Sequence, residues 1–213
     1  MQSYKKQIHR IKNKLSLAKK IDKDCRMFGA EGHKYFLSEP ASENEIKLFE
    51  EKYGIILPTC FRTFLTEIGN GGINYQNSII GNSAAGPNFG IYKLGINLIN
   101  VIADTSTGYL QKDVFFTEKT TDEEWTNCYE KMDDNISDQE YDDVVANLYS
   151  GILTIGYCGC SNYQGIILNG EQKGRVIYTY EEIEYPPHYV EEKNFLDWYE
   201  NWLDKVIEGE TTF

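Results

Sequence analysis

The apolar positions of this chain recur with two periods, and the switch between them sets its layout. Ile8, Ile11, Leu15, Ala18, Cys25 and Phe28 fall mostly three or four residues apart with lysines between them, which predicts an amphipathic helix over 4–28. Gly29 and Gly32 break it. Ser42-Glu43-Asn44-Glu45 has the spacing of a capping box, where the hydroxyl accepts from the backbone three residues on and the glutamate reaches back. It opens a helix with Ile46, Phe49 and Tyr53 inward, ended by Gly54. Pro58 starts the next helix, at a position where its missing N–H costs nothing. That helix buries Phe61, Phe64, Leu65 and Ile68 and stops at Gly69-Asn70-Gly71-Gly72.

Shorter, strand-like runs follow at Ile73–Ile80 and Gly90–Leu94, split by a turn-rich loop over Gly81–Gly90. Two further capping boxes, Thr121 to Glu124 and Ser137 to Glu140, open helices. The first points Trp125, Tyr129 and Met132 inward, the second Tyr141, Val144, Val145 and Leu148. Strands are expected at Ile152–Tyr157, Tyr163–Leu168 and Arg175–Tyr180, the last two joined as a hairpin by Asn169-Gly170 and Lys173-Gly174. After Pro186-Pro187, a closing helix carries Phe195, Tyr199, Trp202 and Val206. With no repeat and no linker, the pattern predicts one domain over 1–213. Its class is α+β with a largely antiparallel sheet.

Charge adds a direction to this picture. The formal net charge is −12, but residues 1–34 carry ten Lys/Arg against three Asp/Glu, and the rest eleven against thirty. An acidic body repels phosphates and favours a basic protein partner, so nucleic acid is not expected. The N-terminal lysines surround an apolar stripe at helical spacing, which reads as a solvated helix face. No apolar run resembles a secretory signal or approaches the roughly 18 residues of a membrane span. The expectation is a cytoplasmic protein, its five cysteines reduced, as a monomer or weak dimer. The 16 tyrosines are expected to line the sheet and the rim of the core, where a polar tip on a large ring suits a half-wet surface.

Each catalytic template fails for a chemical reason. His9, His33 and His188 have no second histidine at ligand spacing, and Cys158-Gly159-Cys160 has one residue between thiols where a zinc knuckle or redox pair has two. A calcium loop started at Asp133 has Asp138 where glycine belongs and Val144 where a bidentate glutamate belongs. The Gly81 to Gly86 spacing of a phosphate loop is followed by Pro87-Asn88 where Lys and Ser/Thr must stand. No catalytic, metal or cofactor residue is assigned. A carboxylate dyad formed only in space stays open as an enzymatic alternative.

Residues 118–143 hold eleven acids against Lys119 and Lys131. Glu124 and Glu140 complete capping boxes, and Asp122, Glu123 and Asp138 suit the positive ends of helix dipoles. Asp133, Asp134, Asp142 and Asp143 have no such duty and are the candidate partner-binding residues.

Glu50-Glu51-Lys52-Tyr53-Gly54-Ile55-Ile56-Leu57-Pro58, then Phe61-Arg62-Thr63-Phe64-Leu65 and Asn70-Gly71-Gly72, resemble the signature of the SUKH superfamily, the Smi/Knr-type proteins. Leu153-Thr154-Ile155-Gly156, Gly165-Ile166-Ile167-Leu168 and Gly174-Arg175-Val176 extend the resemblance over about 38–206. The basic helix within 1–34 is additional to that core, and Cys158-Gly159-Cys160-Ser161-Asn162 stands where an acidic residue usually lies near the glycines. The resemblance implies a mixed, largely antiparallel sheet wrapped by helices, in a non-catalytic domain. Bacterial members are largely immunity proteins that neutralise toxins, often nucleases, while fungal members regulate cell-wall glucan synthesis. A toxin-binding immunity protein is the leading expectation, and a regulatory or scaffold module the alternative.

Overall fold

The computed structural model describes residues 4–72, 83–95, 107–130, 136–160, 162–180 and 185–213. The first helix, α1 (Lys5–Ile21), is shorter than its hydrophobic pattern. The chain leaves it at Asp22, whose carboxylate accepts the backbone N–H of Arg26 (2.6 Å) and Met27 (3.1 Å) and the phenol of Tyr35 (2.6 Å). A side chain that takes these donors replaces the next helical turn. Phe28, expected inward, is therefore exposed. A four-residue helix, α2 (Ala30–His33), follows where the glycines predicted only a break. Gly29 leads into it with φ +79°, and a Cβ there would lie 1.9 Å from the Asn88 carbonyl oxygen.

Next come α3 (Glu43–Tyr53) and α4 (Thr59–Glu67). Ser42 Oγ accepts from the Glu45 N–H at 3.2 Å, and the Glu45 carboxylate accepts from the Ser42 N–H at 2.7 Å. Pro58 proves to be the N-cap of α4 and not its first residue, since its ψ of 135° is extended. Phe61, Phe64, Leu65 and Ile68 are buried as expected. The exit needs glycine: Gly71 has φ +57°, and a Cβ there would lie 2.0 Å from the Tyr92 carbonyl oxygen.

Among the described residues the sheet has six strands paired in chain order: β1 (Ser83–Ala84), β2 (Ile91–Tyr92), β3 (Ile152–Gly159), β4 (Asn162–Ile167), β5 (Val176–Thr179) and β6 (His188–Tyr189). Every described pairing is antiparallel, in keeping with the α+β reading. β6, after the double proline, was not legible as a strand; the run Ile73–Ile80 lies outside the described residues. A 3₁₀ turn (Thr107–Gln111) precedes α5 (Asp122–Tyr129) and α6 (Asp138–Leu148), and α7 (Phe195–Glu208) closes the chain.

One continuous core joins these elements. α1 packs along α7, burying Ile8, Ile11 and Ala18 beside Trp198, Trp202 and Val206. Trp125 anchors α5 through edge-on contacts with Phe116 and Tyr149, and Phe116 stacks on Tyr189 of β6. Tyr141 was expected inward but is 43% exposed. The first turn of α6 extends past the core, whereas Val145, Ala146 and Leu148 are buried in it and Val144 packs against it.

Candidate protein-interaction surface

The acidic stretch folds into α5 and α6, and the structure separates its working carboxylates from its idle ones. Both capping boxes form. Glu124 accepts the Thr121 N–H at 2.8 Å, and Glu140 accepts the Ser137 N–H at 3.0 Å. Hydrogen bonds from the Thr121 backbone and hydroxyl hold Glu124 below the usual glutamate range; those from the Ser137 hydroxyl and backbone do the same for Glu140. Glu118 is also occupied, paired with Arg175, whose guanidinium donates to the Val190 carbonyl and lies 4.7 Å over the Tyr189 ring. Its partner is 57 residues away, beyond the reach of any local pattern.

Among the described residues, Asp122, Glu123, Glu130, Asp138, Asp142 and Asp143 make no ion pair. Of the four candidate residues, Asp142 is half-buried and Asp143 exposed, with Gln139 Nε2 donating to Asp143 at 3.2 Å. Adjacent helical residues point about 100° apart, so the two do not form a single pair. Asp133 and Asp134 lie outside the described residues. Glu130 sits at the C-cap of α5, the negative end of the helix dipole, where a carboxylate is unfavourable without a cation. The result is an acidic helix pair with little internal compensation.

The basic N-terminal segment is treated differently. Arg10 donates to Glu200 at 2.7 and 2.9 Å, Lys14 lies 3.0 Å from Glu200 and 2.6 Å from Asp204, and Gln7 donates to Asp197 at 2.8 Å. Burial would raise the Glu200 carboxyl, but the bonds from Arg10, Lys14 and Gln7 outweigh it and hold it below the usual range. The face of α1 towards α7 thus uses its charges internally.

The segment Glu50–Pro58 has a structural task. Glu50 accepts the Leu57 N–H (2.8 Å) with one carboxylate oxygen and Arg62 (2.8 Å) with the other, while its carbonyl accepts the Ile55 N–H. Gly54 ends α3 with φ +62°, and Lys173 Nζ holds the Ile56 carbonyl at 2.7 Å. These bonds fix a rigid loop beside a groove of about 510 Å³ lined by Lys47, Glu51, Ile56, Gln111 and Lys173 among others. The sequence profile of the SMI1/KNR4 family (SUKH-1) matches residues 40–201. The chain belongs to this family. No curated protein and no solved structure matches it significantly. The SUKH-1 match begins after α1 and α2, so both lie outside the shared core. Among the described residues of this SUKH-1 chain, no group of three or more His, Cys, Asp or Glu could hold a metal ion. Nor is any described helix long and apolar enough to cross a membrane.

Proposed function

We propose that this SUKH-1 domain acts by binding another protein, as an immunity-type antagonist that covers the basic working surface of a toxin. The uncompensated carboxylates of α5 and α6 carry this reading. Arg10 and Lys14 of α1 are paired within the fold, whereas Glu130, Asp142 and Asp143 of the acidic helices have no cation among the described residues, which suits a surface that meets positive charge from outside. A nuclease is the favoured toxin class, because a surface that binds phosphates must be positive. Fast, steered association then suits a protein that has to reach its target before damage accumulates.

The test is co-expression of the tagged chain with the product of the neighbouring gene, followed by capture and an activity assay of that product. The reading predicts a stable complex in which the toxic activity is lost. A captured product that keeps full activity, or no complex at low salt, contradicts it.

A further inference from the structure

Strand geometry gathers four aromatic side chains where β5 meets β6. Tyr178 and Tyr180 are two residues apart and so share a side, and the register sets His188 of β6 opposite Tyr178. The His188 ring centroid is 5.2 Å from that of Tyr178 and 5.9 Å from that of Tyr180, and Tyr180 Oη lies 2.8 Å from His188 Nδ1. Tyr185 meets Tyr180 edge-on at 5.9 Å. β6 is the outermost strand of the described sheet. Tyr185 is 57% exposed, His188 is exposed, and Tyr178 and Tyr180 are half-buried.

Tyr178 packs against the core, but Tyr185 and His188 stand at the surface, so their packing on Tyr180 and Tyr178 asks for a reason. Their chemistry favours a cation. Burial raises the phenols of Tyr178 and Tyr180 above, and lowers the His188 imidazole below, their ordinary values, so these three rings are neutral near pH 7. The described cation–π contacts lie elsewhere: Lys19 on Phe36, Lys52 on Tyr53, Arg175 on Tyr189 and Lys205 on Phe213. In sequence, the link from Tyr180 to Tyr185 reads Glu181-Glu182-Ile183-Glu184, with three carboxylates. The Tyr149 phenol, just beyond α6, donates to the Tyr180 carbonyl at 2.9 Å, which ties the cluster to the acidic helices.

We propose that Tyr180, Tyr185 and His188, backed by Tyr178, are the docking site for an arginine side chain of a basic protein partner. A planar guanidinium stacks on aromatic faces, and its donors suit phenol and imidazole acceptors. The acidic helices attract the partner and this cluster holds it, as tyrosine-rich centres do in many interfaces. The identity of the partner rests on the function proposed above; the affinity for arginine does not.

The experiment therefore has two arms. In the first, N-acetyl-arginine amide is titrated into the full chain and the aromatic ring resonances are followed by NMR. N-acetyl-citrulline amide, of the same shape without the charge, is the control. Saturable shifts of Tyr180, Tyr185 and His188, at least fivefold smaller with citrulline and in Tyr185→Ala, are expected. Equal shifts from both probes, or shifts unaffected by Tyr185→Ala, overturn the proposal. Tyr185 is exposed, so the variant keeps its fold, which the rest of its spectrum verifies. In the second arm, the neighbouring gene product is captured with wild type and with Tyr185→Ala. Arginine binding without capture upholds the site and removes the toxin reading. Capture with the same dissociation rate for both proteins overturns the site and leaves that reading standing.

Discussion

The α1–α7 side and the α5–α6 side of this domain both carry dense charge, and they handle it in opposite ways. On the first, Arg10 and Lys14 converge on Glu200, a carboxylate only 10% exposed, and the ions belong to the packing that buries Ile8, Ile11, Trp198 and Trp202. On the second, capping engages Glu124 and Glu140, the helix dipoles favour Asp122, Glu123 and Asp138, and Glu130, Asp142 and Asp143 have neither a dipole nor a cation among the described residues. Charge with a partner inside the fold is a stability element. Charge without one costs stability through repulsion, and such a cost points to work done outside the fold.

The contrast makes graded predictions. Deleting residues 1–21 should have the largest effect. Ile8 and Ile11 alone bury side chains worth about 4 kcal/mol together, so thermal melting should fall by on the order of 10 °C. Calorimetry at matched concentration checks it, and an unchanged melting curve would mean α1 is not part of the fold. The next largest effect is acid sensitivity on the same side. His33 is fully buried against Tyr35 and Trp202, its Nδ1 accepts the Tyr35 N–H at 3.0 Å, and burial lowers its pKa to about 4. Above pH 6.5 it is neutral in both states and contributes no pH dependence. As pH falls towards 4 the unfolded chain takes up a proton that the folded chain refuses, so stability drops by on the order of 3 kcal/mol. Urea unfolding between pH 7 and 4 should show this slope, and His33→Gln should flatten it.

Glu200→Gln follows, at about 2 kcal/mol near pH 7 for lost charge-assisted hydrogen bonds. The Glu200 carboxyl is depressed in the folded state, so its contribution is present above the ordinary glutamate value and lost as pH falls through the folded one. The gap between wild type and variant should therefore close in acid, and a constant gap would assign the loss to packing instead. The smallest effect belongs to the other side. Asp142→Asn with Asp143→Asn should change stability by less than about 0.5 kcal/mol, with relief of repulsion as the favourable term. A loss comparable to that of Glu200→Gln would erase the distinction between the two sides.

Local chemistry was legible in the sequence and distant partnership was not. All three capping boxes were readable, because each bond spans three residues. The burial of Phe61, Phe64, Phe195, Tyr199 and Trp202 followed from their periodicity. The early end of α1 was missed because Asp22 acts through a side chain that competes with the helix, and β6 because two residues after a double proline leave no pattern. At the candidate surface, the density of acids was visible as composition. That Glu118 belongs to Arg175 and that Glu50 braces Leu57 and Arg62 became clear only from the folded chain. The tyrosine cluster was foreshadowed only by the abundance of tyrosine, since its members meet across a strand register no local rule specifies.

The central claim is that the acidic helices face a basic partner. It is tested most directly by association rates with the neighbouring gene product at low and high salt. The chain is compared with a variant carrying Asp133→Asn, Asp134→Asn, Asp142→Asn and Asp143→Asn. Wild type should associate at least about tenfold faster than the variant at low salt and lose that advantage as salt rises. Equal low-salt rates for the two proteins would contradict the account and leave the acidic stretch as a solvated face.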